Sequence, residues 1–189
     1  RPPRSTLFPY TTLFRSCLHH NSYDNLDKIL AAEGLSAVQG ILLDLGLSSL
    51  QLGSNNRGFS YRSEGPLDMR FDQSNGSNAK KLIDQADRDS LVQIFKEYGE
   101  ERLAFRIAKS IKEMTAMNTI ADLREAIRRC TPPNHRDRTF ARIFQALRIA
   151  VNGELDILQQ FLEKFIDFLR PSGRIVIIKI GRASCRERV

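Results

Sequence analysis

No apolar run in this 189-residue chain approaches the length of a membrane span, and no stretch has the pattern of a secretory signal. A membrane-embedded chain is therefore not expected. Cysteine is scarce: of the three, Cys185 stands near the end of the chain, and Cys17 and Cys130 lie far apart. They have neither metal-ligand spacing nor the even, regular set of a disulfide framework, so a reducing cytoplasm is the expected setting. His19 and His20 are adjacent and lack a third ligand, which makes solvated turn residues the expected reading rather than a metal site. No metal is expected. Positive charge is in excess, at +7 with a pI of 9.6. The two ends carry most of it: without residues 1–16 and 179–189 the formal charge is about +1, so any electrostatic case for nucleic acid rests on local patches. The length is that of one globular domain with room for an inserted lobe.

What the chain does have is concentrated in residues 40–70, GILLDLGLSSLQLGSNNRGFSYRSEGPLDMR. Ile41, Leu42 and Leu43 form a continuous apolar run, the pattern of a strand buried on both faces, and the run stops at Asp44 and Gly46. A carboxylate thus stands where a strand opens into a loop, at the edge where open α/β sheets bind ligands. The loop carries Ser48, Ser49, Gln51, Arg57, Asp68 and Arg70, with Gly53, Gly58, Gly65 and Pro66 as hinges. Phe59, Tyr61, Leu67 and Met69 argue against disorder, and a loop this long and polar in a compact domain is usually functional.

DLGLSSLQL, RGFSYR and GPLDMR, followed by YGEERLAFRIAKSI from Tyr98 and RTFARIFQALRIAVNGEL from Arg138, resemble in that order the small-subunit ribosomal RNA cytosine-N4 methyltransferase family, also called MraW. The resemblance covers residues 17–178. It implies an α/β fold, an incomplete class I (Rossmann-like) S-adenosylmethionine-dependent methyltransferase sheet with an inserted all-helical subdomain. It implies methylation of the exocyclic amine of a cytidine in 16S ribosomal RNA or the small ribosomal subunit, with S-adenosylmethionine as cofactor. By the same resemblance Asp44 is the catalytic residue and, with Gln51, contacts the cofactor. Ser48, Ser49, Arg57, Asp68 and Arg70 belong to the substrate side. Tyr23 falls where the family places a cofactor-contacting aromatic residue; a ring there stacks on adenine or is a core tyrosine beside a strand end. For Asp68 and Arg70 an internal salt bridge pinning the loop is compatible with the substrate role. Asp44 has the alternative of capping a neighbouring helix or turn.

The chemistry is consistent with those residue types. The exocyclic amine of cytosine is a poor nucleophile because its lone pair is delocalised, so it must be oriented toward an electrophilic methyl and given hydrogen-bond acceptors. The target cytidine must be unstacked, which costs least in single-stranded or distorted RNA.

Around this centre, residues 26–32 read as a short helix closed near Gly34. Residues 79–130 read as helical, with stripes at Leu91, Ile94 and Phe95, at Leu103, Ile107, Ile111 and Met114, and at Ile120, Leu123, Ile127 and Cys130. Thr119 and Asp122 form a capping-box pattern, and Pro132 and Pro133 stop the last of these helices. Arg102, Arg106 and Lys109 are expected on one face of the second, and Arg124 and Arg128 on the third; a solvated face or RNA contact explains either set. Phe140, Phe144, Leu147 and Val151 share a helical face, with Arg142 and Gln145 on other sides matching the family's polar positions, either reaching back toward the central loop or packing helices. Leu155, Leu158, Leu162, Phe165 and Leu169 continue as an amphipathic helix, and Pro171 and Gly173 turn into a buried strand at residues 175–178.

Residues 6–16, TLFPYTTLFRS, and 180–189, IGRASCRERV, look like translated sequencing adapter and fall outside the resemblance. The expected organisation is an adapter-like stretch at 1–16, a partial methyltransferase core at 17–71, a helical insertion at 72–136, the core continued at 137–178, and a second adapter-like stretch at 179–189. The family's glycine-rich first strand and turn, and its Ser-Phe-His-Ser segment after Ile178, are not in the sequence. A truncated chain with weak or no activity is therefore expected. The competing readings are a non-catalytic RNA-binding module and another nucleic-acid amino-methyltransferase, which would carry a proline-aromatic pair where Leu45 and Gly46 stand. A Rossmann dehydrogenase has no dinucleotide fingerprint to support it.

Overall fold

The computed structural model describes residues 16–54 and 56–179; the segments 1–16 and 179–189, expected to be adapter-like, lie outside the described residues apart from Ser16 and Lys179. Contacts divide the described residues into two compact units, one of residues 16–44 and 157–178, the other of residues 45–156.

The first unit is α/β. A 3₁₀ turn at Tyr23–Asn25 leads into helix α1, Leu26–Ala32, the span expected from sequence, which ends ahead of Gly34 at φ 71°. Strand β1, Val38–Leu45, pairs with β2, Leu169–Lys179, in a small parallel sheet. Helix α8, Glu154–Lys164, precedes β2 and gives way to a 3₁₀ turn at Phe165–Phe168, so the helix expected to run to Leu169 stops earlier. Phe161 packs edge-on against Tyr23 with centroids 5.4 Å apart.

Two strand expectations are corrected. The apolar run at residues 41–43 is not buried on both faces: Leu43 is buried, but Leu42 is 66 % exposed. Val176, Ile177 and Ile178 in β2 are likewise exposed. Among the described residues the sheet has two strands, and these side chains on it are left open. β2 also begins at Leu169, ahead of the Pro171–Gly173 segment read as a turn, and that segment keeps a local bend within the strand: Ser172 has φ 65°, and a Cβ at Gly173 would meet the Arg170 carbonyl oxygen at 2.8 Å.

The second unit is helical: α2 Ser49–Gly53, α3 Ala79–Gln85, α4 Arg88–Glu97, α5 Ala104–Lys112, α6 Ile120–Cys130 and α7 Arg136–Asn152. Its core is made by the apolar stripes, with Leu91, Phe95, Ile107, Ile120, Leu123, Ile127, Ile143 and Leu147 fully buried. Helix α3 is separate from α4 because Ala86 is extended and Asp87 caps the next helix, accepting from Ser90 N at 2.7 Å. Thr119 and Asp122 make the capping box at α6. At Gly99 the chain leaves α4 so close to α7 that a Cβ would meet the Arg142 carbonyl oxygen at 2.8 Å and Ala146 Cβ at 3.2 Å.

Candidate active site

Asp44 is the penultimate residue of β1, and its side chain is exposed. Alternation along the strand turns it opposite to buried Leu43, so the carboxylate is presented to solvent at the carboxyl end of the strand. In the same unit Tyr23 is half-buried and meets Phe161 in a T-shaped contact, which is the core packing that was one of its two expected roles. His19 is not simply solvated: its Nε2 lies 2.9 Å from Glu33 Oε1, while Cys17 Sγ donates to Glu33 Oε2 at 3.1 Å. No group of three or more residues able to hold a metal occurs among the described residues.

The central loop belongs to the second unit, and most of its polar side chains hold the loop itself. Ser48 and Gln51 form a capping box at α2: Gln51 N donates to Ser48 Oγ at 3.2 Å and Ser48 N donates to Gln51 Oε1 at 2.9 Å. Gln51 Oε1 is thereby engaged, which leaves its amide nitrogen as the donor for a ligand. Ser49 opens α2, and its side chain is outside the described residues. Arg57 Nη2 donates to the carbonyl oxygens of Arg70 at 2.9 Å and Phe71 at 2.7 Å, closing the loop across its base. Gly58, at φ 74°, lies so near this strap that a Cβ would meet Pro66 O at 2.8 Å and Asp68 N at 3.0 Å.

Asp68 and Arg70 form a bidentate pair, Nε to Oδ1 at 2.9 Å and Nη2 to Oδ2 at 2.8 Å, with Arg70 N also donating to Oδ1 at 3.0 Å. The Arg70 hydrogen bonds hold the buried Asp68 carboxyl below its ordinary range, against the opposing effect of burial. Between them Met69 is fully buried at φ 61°, an unusual conformation for a side chain of that size. The loop is tied into the helices by main-chain bonds: Leu67 N to Asn118 O and Ile120 N to Gly65 O at α6, and Ala79 N to Asp68 O and Lys80 N to Leu67 O at α3.

One residue of this arrangement was missed in the sequence. Asn152 donates to Met69 O at 2.7 Å and Arg148 O at 2.8 Å and accepts from Phe71 N at 2.7 Å. It clasps the GPLDMR end of the loop to the last turn of α7. The signal available was its place at the end of the FQALRIAVN motif, just before Gly153, which ends α7 at φ 58°.

Arg142 and Gln145 do not reach the central loop. Arg142 Nη1 lies 3.7 Å from Glu101 Oε2, and Gln145 Nε2 donates to Tyr98 O at 3.4 Å, so both engage the α4–α5 turn. Glu101 is 4 % exposed and accepts from Leu103 N at 3.0 Å, fixing the approach to α5. Arg124 turns inward, donating to Tyr61 O at 3.4 Å, whereas Arg128 is exposed with its guanidinium 6.0 Å from the Phe140 ring centroid. Arg102 precedes α5 rather than lying on it.

The chain as a whole has relatives. The model of the MraW methylase family matches residues 4–187. Ribosomal RNA small subunit methyltransferase H of Syntrophotalea carbinolica is 43 % identical over 170 residues, 87 % of this chain and 54 % of that protein. The proteins of the same name from Frankia casuarinae and Acinetobacter baumannii are 45 % and 39 % identical, over 85 % and 87 % of this chain and 52 % and 54 % of theirs. The chain spans about half the length of the curated relatives it matches. With this match over nearly its full length, the chain belongs to the MraW methylase family.

Proposed function

We propose that this stretch supplies the target-side half of an S-adenosylmethionine-dependent ribosomal RNA methyltransferase, acting on the N4 amine of a cytidine in 16S ribosomal RNA. The observation that carries the reading is an exposed carboxylate at the carboxyl end of β1, followed in the chain by a loop whose polar residues are locked. In this reading β1 and β2 are part of a class I methyltransferase sheet, and α3 to α6 are a helical insertion. The relatives named as ribosomal RNA methyltransferases support the substrate class, and a cytoplasmic location follows from it. Because the chain spans about half their length, the reaction is assigned to the whole protein. This stretch alone is expected to be weak or inactive.

Asp44 and Tyr23 fit the cofactor: an exposed acceptor at the strand edge suits hydroxyl groups, and a half-buried ring suits a purine face. Gln51, its amide oxygen engaged in the capping box, is assigned to the cofactor through its amide N–H. When bound, S-adenosylmethionine supplies an electrophilic methyl group. The chain's part is to hold the amine: Asp44 accepts a hydrogen bond from the exocyclic N–H, which localises the lone pair and aims it. Ser48, Ser49, Arg57, Asp68, Arg70, Arg142 and Gln145 are assigned to the substrate side. Of these, Arg57, Asp68, Arg70, Arg142 and Gln145 act by fixing backbone that faces the base or its flanking turns, since their own polar atoms are engaged within the protein.

The test is methylation of small-subunit ribosomal RNA by the whole protein with labelled S-adenosylmethionine, followed by nucleoside mass spectrometry. N4-methylcytidine is expected; label on another atom, or none on RNA, contradicts the proposal.

A further inference from the structure

Residues 69–71 lie in neither a helix nor a strand, yet every main-chain polar group in them is bonded. Met69 N donates to Arg57 O at 2.8 Å, and Arg70 N donates to Asp68 Oδ1 at 3.0 Å. The Arg57 guanidinium donates to the carbonyl oxygens of Arg70 and Phe71, and the Asn152 amide engages the groups that remain, donating to Met69 O and accepting from Phe71 N. Asn152 also donates to Arg148 O in its own helix, so both of its N–H hydrogens and its oxygen are committed and the amide has one orientation. Attachment of the loop does not require this. Leu67 and Met69 are fully buried, and main-chain bonds to α3 and α6 already hold the loop down. Asn152 adds the direction of the chain at residues 69–71, where Met69 is held at φ 61° between the two members of the Asp68–Arg70 pair.

A strained conformation of this kind persists only where the surroundings over-determine the backbone, and such over-determination is what a site held to a fixed geometry needs. The segment is not closed off by it: Phe71 is 37 % exposed, while Phe59, with its ring centroid 5.6 Å away, is 5 % exposed. We propose that Asn152 is a positioning residue for methyl transfer, which touches no substrate itself and sets the backbone at residues 69–71 that faces the target base. This rests on the assignment of Asp68 and Arg70 to the substrate side. It adds to them a side chain 81 positions from Phe71, on α7. Loss of the clamp therefore acts on turnover, since small misplacements of a positioning contact cost rate, and it leaves cofactor binding as it was.

The experiment measures kcat, the KM for small-subunit ribosomal RNA and the Kd of S-adenosylmethionine for the whole protein, at a temperature where circular dichroism shows each variant folded. Asn152→Ala is expected to lower kcat at least about tenfold, with the KM for RNA and the cofactor Kd each within about threefold of wild type. Asn152→Asp keeps an acceptor for Phe71 N but sets a carboxylate against the carbonyl oxygens of Met69 and Arg148. Those oxygens favour its protonated form, which donates again. Its kcat relative to wild type is therefore expected to rise as pH is lowered from about 8 to about 6, a profile that a merely structural role does not give in a folded chain. Wild-type kcat in folded Asn152→Ala, a flat ratio across pH for Asn152→Asp, or a fall in kcat matched by an equal fall in cofactor affinity overturns the proposal. Asn152→Asp decides the matter should Asn152→Ala melt below the assay temperature. A wild-type protein that methylates RNA while both variants match it refutes the positioning role alone. A wild-type protein that methylates no RNA refutes the ribosomal RNA reading and this role with it.

Discussion

Asn152 uses both ends of its amide to hold two consecutive stretches of main chain, at Met69 and Phe71, to the end of α7. Replacing it with Ala leaves those groups without their partners. A loss of about 2 to 3 kcal/mol is expected, read as a lower denaturant midpoint with unchanged slope. Asp68→Asn removes the charge from the bidentate pair and is expected to cost about 2 kcal/mol near neutral pH. That difference depends on acid in a defined direction. Arg70 lowers the folded-state pKa of Asp68, so the stabilisation is complete above the ordinary carboxylate range of about 4 and fades as pH falls through the lowered folded value. Thermal melting from pH 6 downward should therefore bring wild type and Asp68→Asn together in acid; a constant gap would show that the pair's charge is not what stabilises the loop. Cys130, whose thiol burial pushes up, is expected to react slowly with alkylating agents at neutral pH.

At the scale of elements, the central loop behaves as a part of the helical unit. Its main chain is bonded to α3 and α6, and its end is bonded through Asn152 to α7. A change within a helix junction should accordingly reach the loop. Gly99→Ala is the sharpest case, since the added methyl would meet α7 backbone at 2.8 Å, and a destabilisation of about 2 kcal/mol or more is expected, with faster amide exchange at Met69 and Phe71. Local signals made several elements readable before the structure. The short helix closed near Gly34 and the capping box at Thr119 each depend on neighbours within a few residues. The break between α3 and α4 was also local but easily overlooked, because Ala86 is a good helix former and only the Asp87 cap marks the interruption.

For the whole molecule, what the sequence did not disclose has one physical origin: side chains whose partners are distant in the chain. Arg142 and Gln145 share a helix with the residues that pack the core, and nothing in their spacing says that they turn to the α4–α5 junction. Asn152 bonds across more than eighty residues, beyond the reach of any periodicity. The apolar runs of β1 and β2 were read correctly as strands but not in their burial, because burial depends on what lies over a sheet and not on the strand's own composition. Asp44 was legible for the opposite reason: an acidic residue directly after a strand's apolar run needs no distant partner to be placed. The most direct measurement is the rate of methyl transfer to small-subunit ribosomal RNA by the whole protein carrying Asp44→Ala, with RNA affinity measured in parallel. A fall of at least about 100-fold in turnover, with RNA affinity within about twofold of wild type, is the predicted result. Turnover close to wild type would contradict the assignment of Asp44 as the residue that receives the amine.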